Sequence, residues 1–471
     1  MPTFVLNDFS GWIAQENFAW SQWQVAYLEN INIDERKYMK LEQAFASPTA
    51  IWSFNETINQ MVETPSGVIQ IWPTKTFLTG WDVSSTVAGW QRVEFFSDWA
   101  SGQYNIIFQS ANIYKTNATI TSTTSVVHWV SATTTASCID WNDVLFAKAN
   151  VIYRVDVSLA TPWTPTVEID TIPSGSVIIY MYMYNDVLMV VTRKYQDTII
   201  WTCTYSSATS KFVLYVQDPN IGIRVLWAIG DSWSIYWVSS STIYQFSGVK
   251  SEPLRDFWYT SGLVKKTISA PKLHFSNNTL YIADTDVIYR FGSRTPWRGW
   301  YMRTSSFTDN IQAITENYVH ALNGTANRLY AYASGYRSTG FDISLPYDGG
   351  EFWLDKSNLA FRASYQLPIG VYTGTQCSIV IAIMTDYMEQ VNATVYVTVA
   401  TITDSTKRSQ TIVVKEINDA LDNAWYSSDW NYIRFKITEN WGNELSSIMQ
   451  KTPKFYGIRA IHNITNDDLK G

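Results

Sequence analysis

Histidine is the first residue type to consider, because its imidazole serves both metal sites and acid–base catalysis. The chain has four histidines, His128, His274, His320 and His462. No two of them have the spacing of a metal-ligand pair, and none lies beside a Ser or Cys nucleophile motif. A Gly-rich phosphate loop is also missing from the sequence. We therefore expect no catalytic residues, no metal and no cofactor.

Acidic side chains come next, because a glycosidase needs two facing carboxyl groups at a defined separation. Candidate carboxylates occur at turn-like positions, namely Asp140, Asp186, Asp231, Asp284 and Asp286. An aspartate in a turn commonly bonds to the nearby backbone, so we expect structural roles for these five. The segment beginning at Ser97 is a poor match to the Asp-box of sialidases. The sequence thus favours a protein that is not an enzyme.

The cysteines do not suggest a disulfide or metal site either. Cys138, Cys203 and Cys377 are far apart and odd in number, which fits neither a disulfide framework nor a zinc-binding spacing. We expect them to be buried small hydrophobic residues.

A repeated pattern predicts the elements that must position any site. Six times after residue 100, an apolar run is followed by a short polar turn and by a second run containing Tyr, or an equivalent apolar residue, beside Ile or Leu. Positions 114, 153, 200, 244, 289 and 330 mark these second runs, at spacings of 39, 47, 44, 45 and 41 residues. Val68–Ile71, ending 43 residues before Tyr114, is a candidate seventh unit. A period of roughly 40 to 50 residues is typical of one four-stranded propeller blade.

The predicted fold is all-β, a six- or seven-bladed β-propeller followed by a jelly-roll-like C-terminal β-sandwich. One unit cannot bury its apolar face alone, and circular stacking buries that face while leaving only short strand edges. We expect an extended N-terminal arm over 1–45 that packs across the ring, a propeller over 46–340 and a sandwich over 346–471. Gly-, Ser- and Pro-bearing segments at 334–340 and 346–350 predict the joint between the last two.

The C-terminal part has its own strand pattern, with one short helix predicted over 418–425. In residues 394–399, small polar and larger apolar side chains alternate, as in a half-buried antiparallel strand. The predicted strands are Asn358–Tyr365, Ser378–Met384, Ala393–Ile402, Thr411–Lys415, Tyr432–Ile437 and Lys454–Ile461.

Composition and charge bear on the partners. Apolar residues make up 46% of the 471 residues and charged residues 16%, with a formal net charge of −7. Because acids and bases are interspersed, no basic surface for nucleic acid and no polybasic membrane patch is present. The most apolar stretch, 177–191, is shorter than the roughly 20 residues that span a bilayer, and no secretory signal is visible at the start. We expect a soluble protein without a nucleic-acid partner or membrane insertion.

The tryptophans occupy unusual positions. Trp and Gly each occur 22 times. Several Trp residues stand in turn-like contexts where a residue with positive φ would be expected: Trp12, Trp81, Trp141, Trp163, Trp233, Trp297, Trp300 and Trp441. We hypothesise that many of these are UGA codons that the native host reads as Gly. The alternative is an aromatic-rich protein that uses exposed Trp to stack on sugars.

The two ends of the chain carry a resemblance to a known group. The start, Leu6-Asn-Asp-Phe-Ser-Gly-Trp-Ile-Ala, and the following segment 25–34 resemble the beginning of propeller-type virion proteins of tailed phages. Those often begin Asp-Phe-Ser-Gly-Gly-Ile, so Trp12 stands where the group has its second Gly. The segments 430–438 and 451–458 are similar to the closing strands of the sandwich domain in the same group. Candidate interaction residues in these segments are Asp8, Phe9, Ser10, Trp12 and Tyr456.

The resemblance implies a structural or adsorption component of the tail or neck, present in several symmetric copies and assembled into the virion in the host cytoplasm. Its partners would be other virion proteins and copies of itself, with a host-surface glycan as a further partner. Two other functions remain open. One is a carbohydrate-binding receptor module with exposed aromatic side chains, and the other is a glycoside hydrolase or sialidase-like enzyme with its pocket in the central channel.

Overall fold

The computed structural model describes most of the ring and of the C-terminal region, and short parts of the N-terminal segment. All structural statements below concern residues 5–6, 27–28, 31–33, 39–41, 43–45, 48–51, 56–83, 90–98, 102–109, 112–121, 123–128, 134–140, 143–156, 166–169, 172–231, 234–239, 242–254, 258–259, 264–265, 271–276, 279–292, 299–304, 309–336, 341–348, 359–370, 376–391, 395–443, 450–451 and 453–462.

Six short strands lie in the N-terminal segment. They are β1 (Val5–Leu6), β2 (Tyr27–Leu28), β3 (Ile31–Ile33), β4 (Met39–Leu41), β5 (Gln43–Phe45) and β6 (Thr49–Ile51). β3 and β4 pair with each other, whereas the other four add to sheets formed by later parts of the chain.

Seven antiparallel sheets follow, which we call ring sheets 1 to 7. Ring sheet 1 contains β7 (Gln60–Thr64), β8 (Gly67–Ile71), β9 (Thr76–Leu78) and β10 (Trp81–Asp82). Ring sheet 2 contains β11 (Trp90–Asp98), β12 (Gly102–Gln109), β13 (Asn112–Asn117) and β14 (Thr123–His128). Ring sheet 3 contains β15 (Ala136–Asp140), β16 (Asp143–Lys148), β17 (Val151–Asp156) and β18 (Thr166–Ile169). Ring sheet 4 contains β19 (Val177–Tyr184), β20 (Val187–Lys194), β21 (Asp197–Ser206) and β22 (Lys211–Asn220).

Ring sheet 5 contains β23 (Trp227–Asp231), β24 (Ser234–Val238), β25 (Ile243–Phe246) and β26 (Ser251–Pro253). A separate two-stranded sheet, β27 (Trp258–Tyr259) and β28 (Val264–Lys265), comes next. Ring sheet 6 contains β29 (Lys272–Ser276), β30 (Thr279–Asp284), β31 (Val287–Gly292) and β32 (Gly299–Thr304). Ring sheet 7 contains β33 (Asn310–Ile314), β34 (Tyr318–Asn323) and β35 (Ala326–Tyr336), and it is completed by β5 and β6, which both pair with β35.

The ring sheets bury their apolar faces against one another in a closed cycle. Each of seven apolar clusters joins two consecutive sheets, through pairs such as Ile71 with Ile107, Phe108 with Phe146, Leu145 with Leu188, Val191 with Trp237, Tyr236 with Phe291, Ala283 with Val319, and Leu329 with Trp72. The last pair joins ring sheet 7 to ring sheet 1. Each fully buried Leu, Ile or Phe contributes about 1.5–3 kcal/mol, so a sheet without its neighbours would lose much of the burial that stabilises it. This arrangement is a β-propeller.

All of the sequence repeats lie in this cycle. The six repeats and the candidate seventh unit fall in different ring sheets, because each repeat corresponds to the second and third strands of one sheet. The apolar run is the second strand, which is buried on both faces, as Leu188, Met189 and Val190 of β20 are. The turns on either side of an apolar run hold residues with positive φ, such as Asn185 (47°) and Asp186 (60°) before β20 and Tyr195 (53°) after it. The pair before β20 is typical of the tight type I′ hairpin.

Two further sheets pack around one apolar cluster in the C-terminal region. One has the order β1-β44-β37-β40 and the other β2-β36-β41-β38-β39, so each has an N-terminal strand at one edge. The strands are β36 (Phe341–Asp348), β37 (Leu359–Gln366), β38 (Ser378–Thr385), β39 (Val397–Ile402), β40 (Ser409–Val413), β41 (Tyr432–Asn440) and β44 (Lys454–His462), with the small pair β42 (Gly442–Asn443) and β43 (Gln450–Lys451). Phe361 and Phe435, from opposite sheets, meet edge to face with 4.7 Å between ring centroids.

Two helices interrupt these strands, α1 (Asp386–Val391) and α2 (Val414–Asn423). α1 was not predicted, because it is short and is held by the tertiary environment: Thr385 Oγ1 accepts the Met388 N–H at 3.3 Å and Met388 is fully buried. α2 begins four residues before the predicted helix. Glu416 accepts the Val413 N–H at 3.1 Å, and Val414 is already buried.

Part of the predicted joint lies in strands. Residues 334–336 end β35, and Pro346 lies inside β36 opposite Arg434, so both were wrongly predicted as linker. Pro346 is near the end of its strand, where the missing N–H removes little of the ladder. Residues 337–340 and 349–350 lie outside the described residues.

The N-terminal segment connects the ring to the C-terminal sheets. β6 completes ring sheet 7, whereas β1 pairs with β44 and β2 pairs with β36. β2 and β3 also contact β32 of ring sheet 6, and β4 contacts β44. Residues before 46 therefore contribute strands to both parts of the molecule.

The backbone at the tryptophans differs from the expectation. Trp81, Trp300 and Trp441 do not have positive φ; at the first of these turns Thr79 (48°) and Gly80 (87°) do. Trp12, Trp141, Trp163, Trp233 and Trp297 lie outside the described residues. Trp425, which the turn contexts did not single out, does have positive φ, at 62°. It follows α2 in a Schellman motif, with N–H bonds from Tyr426 to Leu421 O and from Trp425 to Asp422 O, where Gly is the usual residue.

Candidate functional site

A cavity of about 410 Å³ lies where the first strands of all seven ring sheets converge. Its wall is mostly apolar, with Ile58, Met61, Ile139, Ile179, Met181 and Ile229 among its residues. Polar side chains also face it, from β7, β11, β15, β19, β29 and β33. This size and composition are typical of small-molecule pockets. We call it the central cavity.

A three-residue polar network joins ring sheets 2 and 3 at this wall. Arg92 Nε donates to Ser137 Oγ at 2.8 Å, and Ser137 Oγ donates to Glu94 Oε1 at 2.6 Å. Arg92 Nε lies 3.9 Å from the same carboxylate oxygen. Burial raises the pKa of Glu94, although Arg92 and Ser137 both act in the opposite direction. The carboxylate is thus satisfied within the protein.

Tyr180 and Gly230 join ring sheets 4 and 5 at the cavity. The Gly230 N–H donates to the Tyr180 hydroxyl at 2.7 Å, and burial raises the pKa of Tyr180, so this phenol is neutral. A Cβ on Gly230 would lie 2.8 Å from Cγ of Tyr182. Because that approach is closer than real Cβ contacts, only glycine fits here, and the two first strands can pack closely.

Lys272 is the second cation of the cavity. Its Nζ lies 6.0 Å from the centroid of the Trp227 ring, within range of a cation–π interaction. Among the described residues it has no ion-pair partner. Burial lowers its pKa, as it also lowers the pKa of the neighbouring His274, which therefore favours the neutral imidazole. The titratable groups at the wall thus include two cations and one carboxylate.

The three cysteines are buried, as predicted, and none of them is in a disulfide. Cys138 lines the cavity, and burial, with the negative charges of Glu94 and Asp140, raises its thiol pKa well above the usual range. Burial raises the pKa of Cys203 to about 12. Both thiols therefore stay protonated and unreactive at neutral pH.

Of the predicted interaction residues, the structure describes Tyr456 alone, and it is not at this cavity. Tyr456 lies in β44 of the C-terminal region, where its hydroxyl donates to Gln366 Oε1 at 2.6 Å. Asp8, Phe9, Ser10 and Trp12 lie outside the described residues.

The five candidate aspartates lie in turns or at the strand ends beside them, and Asp140, Asp186, Asp284 and Asp286 do not line the cavity. Asp140 ends β15 and Asp231 ends β23, whereas Asp186 is in the turn before β20. Asp284 and Asp286 flank Thr285, which has a positive φ of 60°. Glu94 is the one carboxylate among the described lining residues, so these do not supply the pair that glycoside hydrolysis requires.

The sequence reasoning missed Arg92, Glu94, Ser137 and Lys272. The available signal was position: each lies in the strand that precedes a repeated apolar run. Arg92 and Glu94 are two residues apart, so they share a face of β11. The sequence does not show that this face points toward the ring centre, because polar and apolar residues alternate in a similar way in the inner and the outer strands.

The described residues contain neither a cluster of metal ligands nor a membrane-spanning helix. No group of three or more His, Cys, Asp or Glu side chains there could hold a metal ion. In the same residues, no helix has the length and apolarity needed to cross a bilayer.

Comparison with known proteins gives structural matches alone. No family model and no curated protein matches the chain. The computationally designed protein Ika8 matches with 12% identity and a TM-score of 0.41, over 60% of this chain and 98% of that one. The Neurospora crassa Pan2 WD40 domain matches with 10% identity and a TM-score of 0.42, over 59% and 89%. The β-propeller domain of Myceliophteria thermophila Cps50 (Swd1) matches with 8% identity and a TM-score of 0.42, over 61% and 100%.

Proposed function

We propose that this chain is a structural component of a tailed-phage virion, associated with the tail or neck, that acts as an assembly scaffold or adsorption module through surface contacts. The observation that carries the proposal is an exposed apolar edge strand, β22. The resemblance at the two ends of the chain indicates a phage virion, and in a virion such a surface would contact a neighbouring subunit.

β22 is the last strand of ring sheet 4, and within the described residues no further strand pairs with it. Val213, Tyr215 and Val216 on this strand are 39%, 53% and 52% exposed. The preceding strand adds Tyr205 to the exposed apolar surface, and the following turn adds Ile221. A ten-residue edge strand with apolar side chains is a template for pairing with another chain. Its occupant, on this proposal, is a strand of a neighbouring virion subunit.

The architecture supports a scaffold role. We propose that each ring sheet is one blade, giving seven blades closed by β6, and that the two C-terminal sheets form a jelly-roll-like sandwich. The N-terminal strands then bind propeller and sandwich into one body that can hold neighbouring subunits at fixed positions. Several symmetric copies of such a body, assembled in the host cytoplasm, would form a collar or ring in the particle.

Labelling of particles tests the proposal directly. Antibodies raised against the purified chain should decorate the tail or neck of virions in negative-stain images, and mass spectrometry of purified particles should detect the chain. Particles that contain no such chain would overturn the virion assignment.

A matched pair of variants tests the surface. Tyr215→Lys places a charge on the proposed contact, whereas Ile369→Lys places one at another exposed apolar residue, in the C-terminal region. Both variants should fold, because both side chains are exposed. We expect Tyr215→Lys to lower incorporation into particles at least tenfold and Ile369→Lys to leave it unchanged; equal incorporation would show that β22 is not the contact.

A carbohydrate-binding receptor module is the second candidate. Trp81 and Trp425 are 79% and 95% exposed, and exposed aromatic rings can stack on sugars. The two lie in different elements, β10 of ring sheet 1 and the turn after α2. A glycan array in which wild type binds and Trp81→Ala does not would favour this function over the scaffold role.

A further inference from the structure

The central cavity has a size and a wall that favour a ligand with an apolar body. Seven first strands hold its side chains in place, and Ile and Met are the commonest residue types among the described lining residues. A rigid wall of this kind loses little side-chain entropy when a ligand binds. The apolar lining alone does not select a ligand, so selection depends on the polar groups.

The two cations of the cavity differ in their environment. Arg92 lies beside Glu94 and donates to Ser137, so its charge is balanced within the wall. Lys272 is balanced by no carboxylate among the described residues; it has the Trp227 ring as its neighbour at 6.0 Å. Removing an ammonium group from water is costly unless an anion accompanies it. Lys272 therefore favours a ligand that brings one negative charge.

We propose that the central cavity binds a small organic monocarboxylate, with the Lys272 ammonium as the partner of the carboxylate and the apolar wall against the hydrocarbon part. A single charge is expected, because Lys272 is the one cation of the described wall that no carboxylate balances. A neutral ligand would leave Lys272 uncompensated, whereas a ligand with several phosphate groups would bring more negative charge than one unbalanced cation can match. The site is independent of the virion role, since it lies at the ring centre and not on β22.

Benzoate and benzamide are the probes, because they differ in charge but hardly in shape. Isothermal titration of the full chain at pH 7 should give saturable benzoate binding, and benzamide should bind at least about tenfold more weakly. Butyrate and cyclohexanecarboxylate extend the comparison to other hydrocarbon parts. Equal affinities for benzoate and benzamide, or no saturable binding of any of the three carboxylates, would overturn the proposal.

Variants at Lys272 locate the site. Lys272→Met should abolish the preference for benzoate over benzamide, whereas Lys272→Arg, which keeps the charge, should retain it. The control is Lys250→Met, because Lys250 is exposed and pairs with Glu252 at 2.8 Å away from the cavity. A benzoate preference that survives in Lys272→Met, or that is lost equally in Lys250→Met, would place the carboxylate elsewhere. Thermal unfolding of each variant confirms that the comparison concerns folded protein.

Discussion

Trp425 has a backbone conformation that does not suit its side chain. Its φ is 62°, in the left-handed region, and its ring is 95% exposed. A non-glycine residue there costs roughly 1–2 kcal/mol, and the exposed ring returns little of this by packing. The Schellman geometry at the end of α2 thus explains why glycine would be expected at this position.

We predict that Trp425→Gly raises the free energy of unfolding by about 1 kcal/mol, because it relieves that strain. Trp430→Gly is the control, since Trp430 is fully buried and bonds through Nε1 to Asn418 Oδ1 at 3.2 Å. It should lose at least about 3 kcal/mol. Urea unfolding measures both, and a destabilised Trp425→Gly would contradict the strain argument. The codon at this position also tests the UGA hypothesis.

His320 makes stability depend on pH. It is fully buried between ring sheets 7 and 1, where Gln70 Nε2 donates to its Nδ1 at 3.0 Å and its Nε2 bonds to Asn327 Oδ1 at 3.2 Å. Burial lowers its pKa from 6.5 to about 4. Since the imidazole is kept neutral in the folded state, the unfolded state binds the proton first as pH falls.

The contribution of His320 to stability is therefore full above pH 6.5 and is lost as pH falls toward 4, by about 2–3 kcal/mol. His320→Gln should be less stable at pH 7 but should lack this loss. Buried carboxyl groups with raised pKa, such as Glu94 and Glu439, have the opposite effect, since they stabilise the folded state as pH falls. They are present in both the wild-type chain and the His320→Gln variant, so their effect cancels in the comparison. The difference between the two urea-unfolding curves from pH 7 to 4 isolates the imidazole; parallel pH profiles would contradict this role.

At the scale of elements, β6 closes the ring. Ile51 on this strand is 3% exposed and packs with Trp72 and Leu329 between ring sheets 7 and 1. Thr49 on the same strand is exposed. The strand comes from the N-terminal side of the ring and completes the sheet formed at its C-terminal side, so both ends of the propeller are joined in one sheet.

We predict that Ile51→Ala lowers the free energy of unfolding by about 2–4 kcal/mol, because it removes buried apolar volume where the ring closes. Thr49→Ala is the matched control and should change it by less than about 0.5 kcal/mol. Chemical unfolding followed by tryptophan fluorescence measures the two. Equal small effects would mean that β6 does not contribute to closure.

At the scale of the whole molecule, the N-terminal segment couples two parts of the chain. β1 and β2 are edge strands of the C-terminal sheets, and the segment that contains them continues into β6 of the ring. Loss of an edge strand exposes the ladder groups of its neighbour to water and to exchange. The C-terminal sheets thus depend on residues that are more than 300 positions away in sequence.

We predict that a chain beginning at residue 42 exchanges amide hydrogens faster in β36 and β44 than the full chain does. β20 and β21, inside ring sheet 4, are the internal control and should be unchanged. Hydrogen–deuterium exchange with peptide-level detection measures both regions in one experiment. Unchanged protection in β36 and β44 would show that β1 and β2 contribute nothing to the C-terminal sheets.

Local patterns determined the strands of the ring. The apolar runs around Val190 and Ile282 are buried on both faces, and the polar turns beside them favour hairpins. Strand pairs that repeat every 39 to 47 residues could therefore be predicted from the sequence. Local patterns also predicted that the three cysteines are buried, which is confirmed. They predicted the aspartates at turns, whereas Asp140, Asp231 and Asp284 are the last residues of strands. These features depend on a few neighbouring residues and on solvent exposure.

Long-range pairing decided the rest. Nothing near Thr49–Ile51 indicates that it pairs with β35, nor does Val5–Leu6 indicate β44, because backbone ladders carry little sequence information. The central cavity likewise depends on which face of seven separate first strands turns inward. Arg92, Ser137 and Lys272 come from three different strands, and it is only ring closure that brings them to one wall.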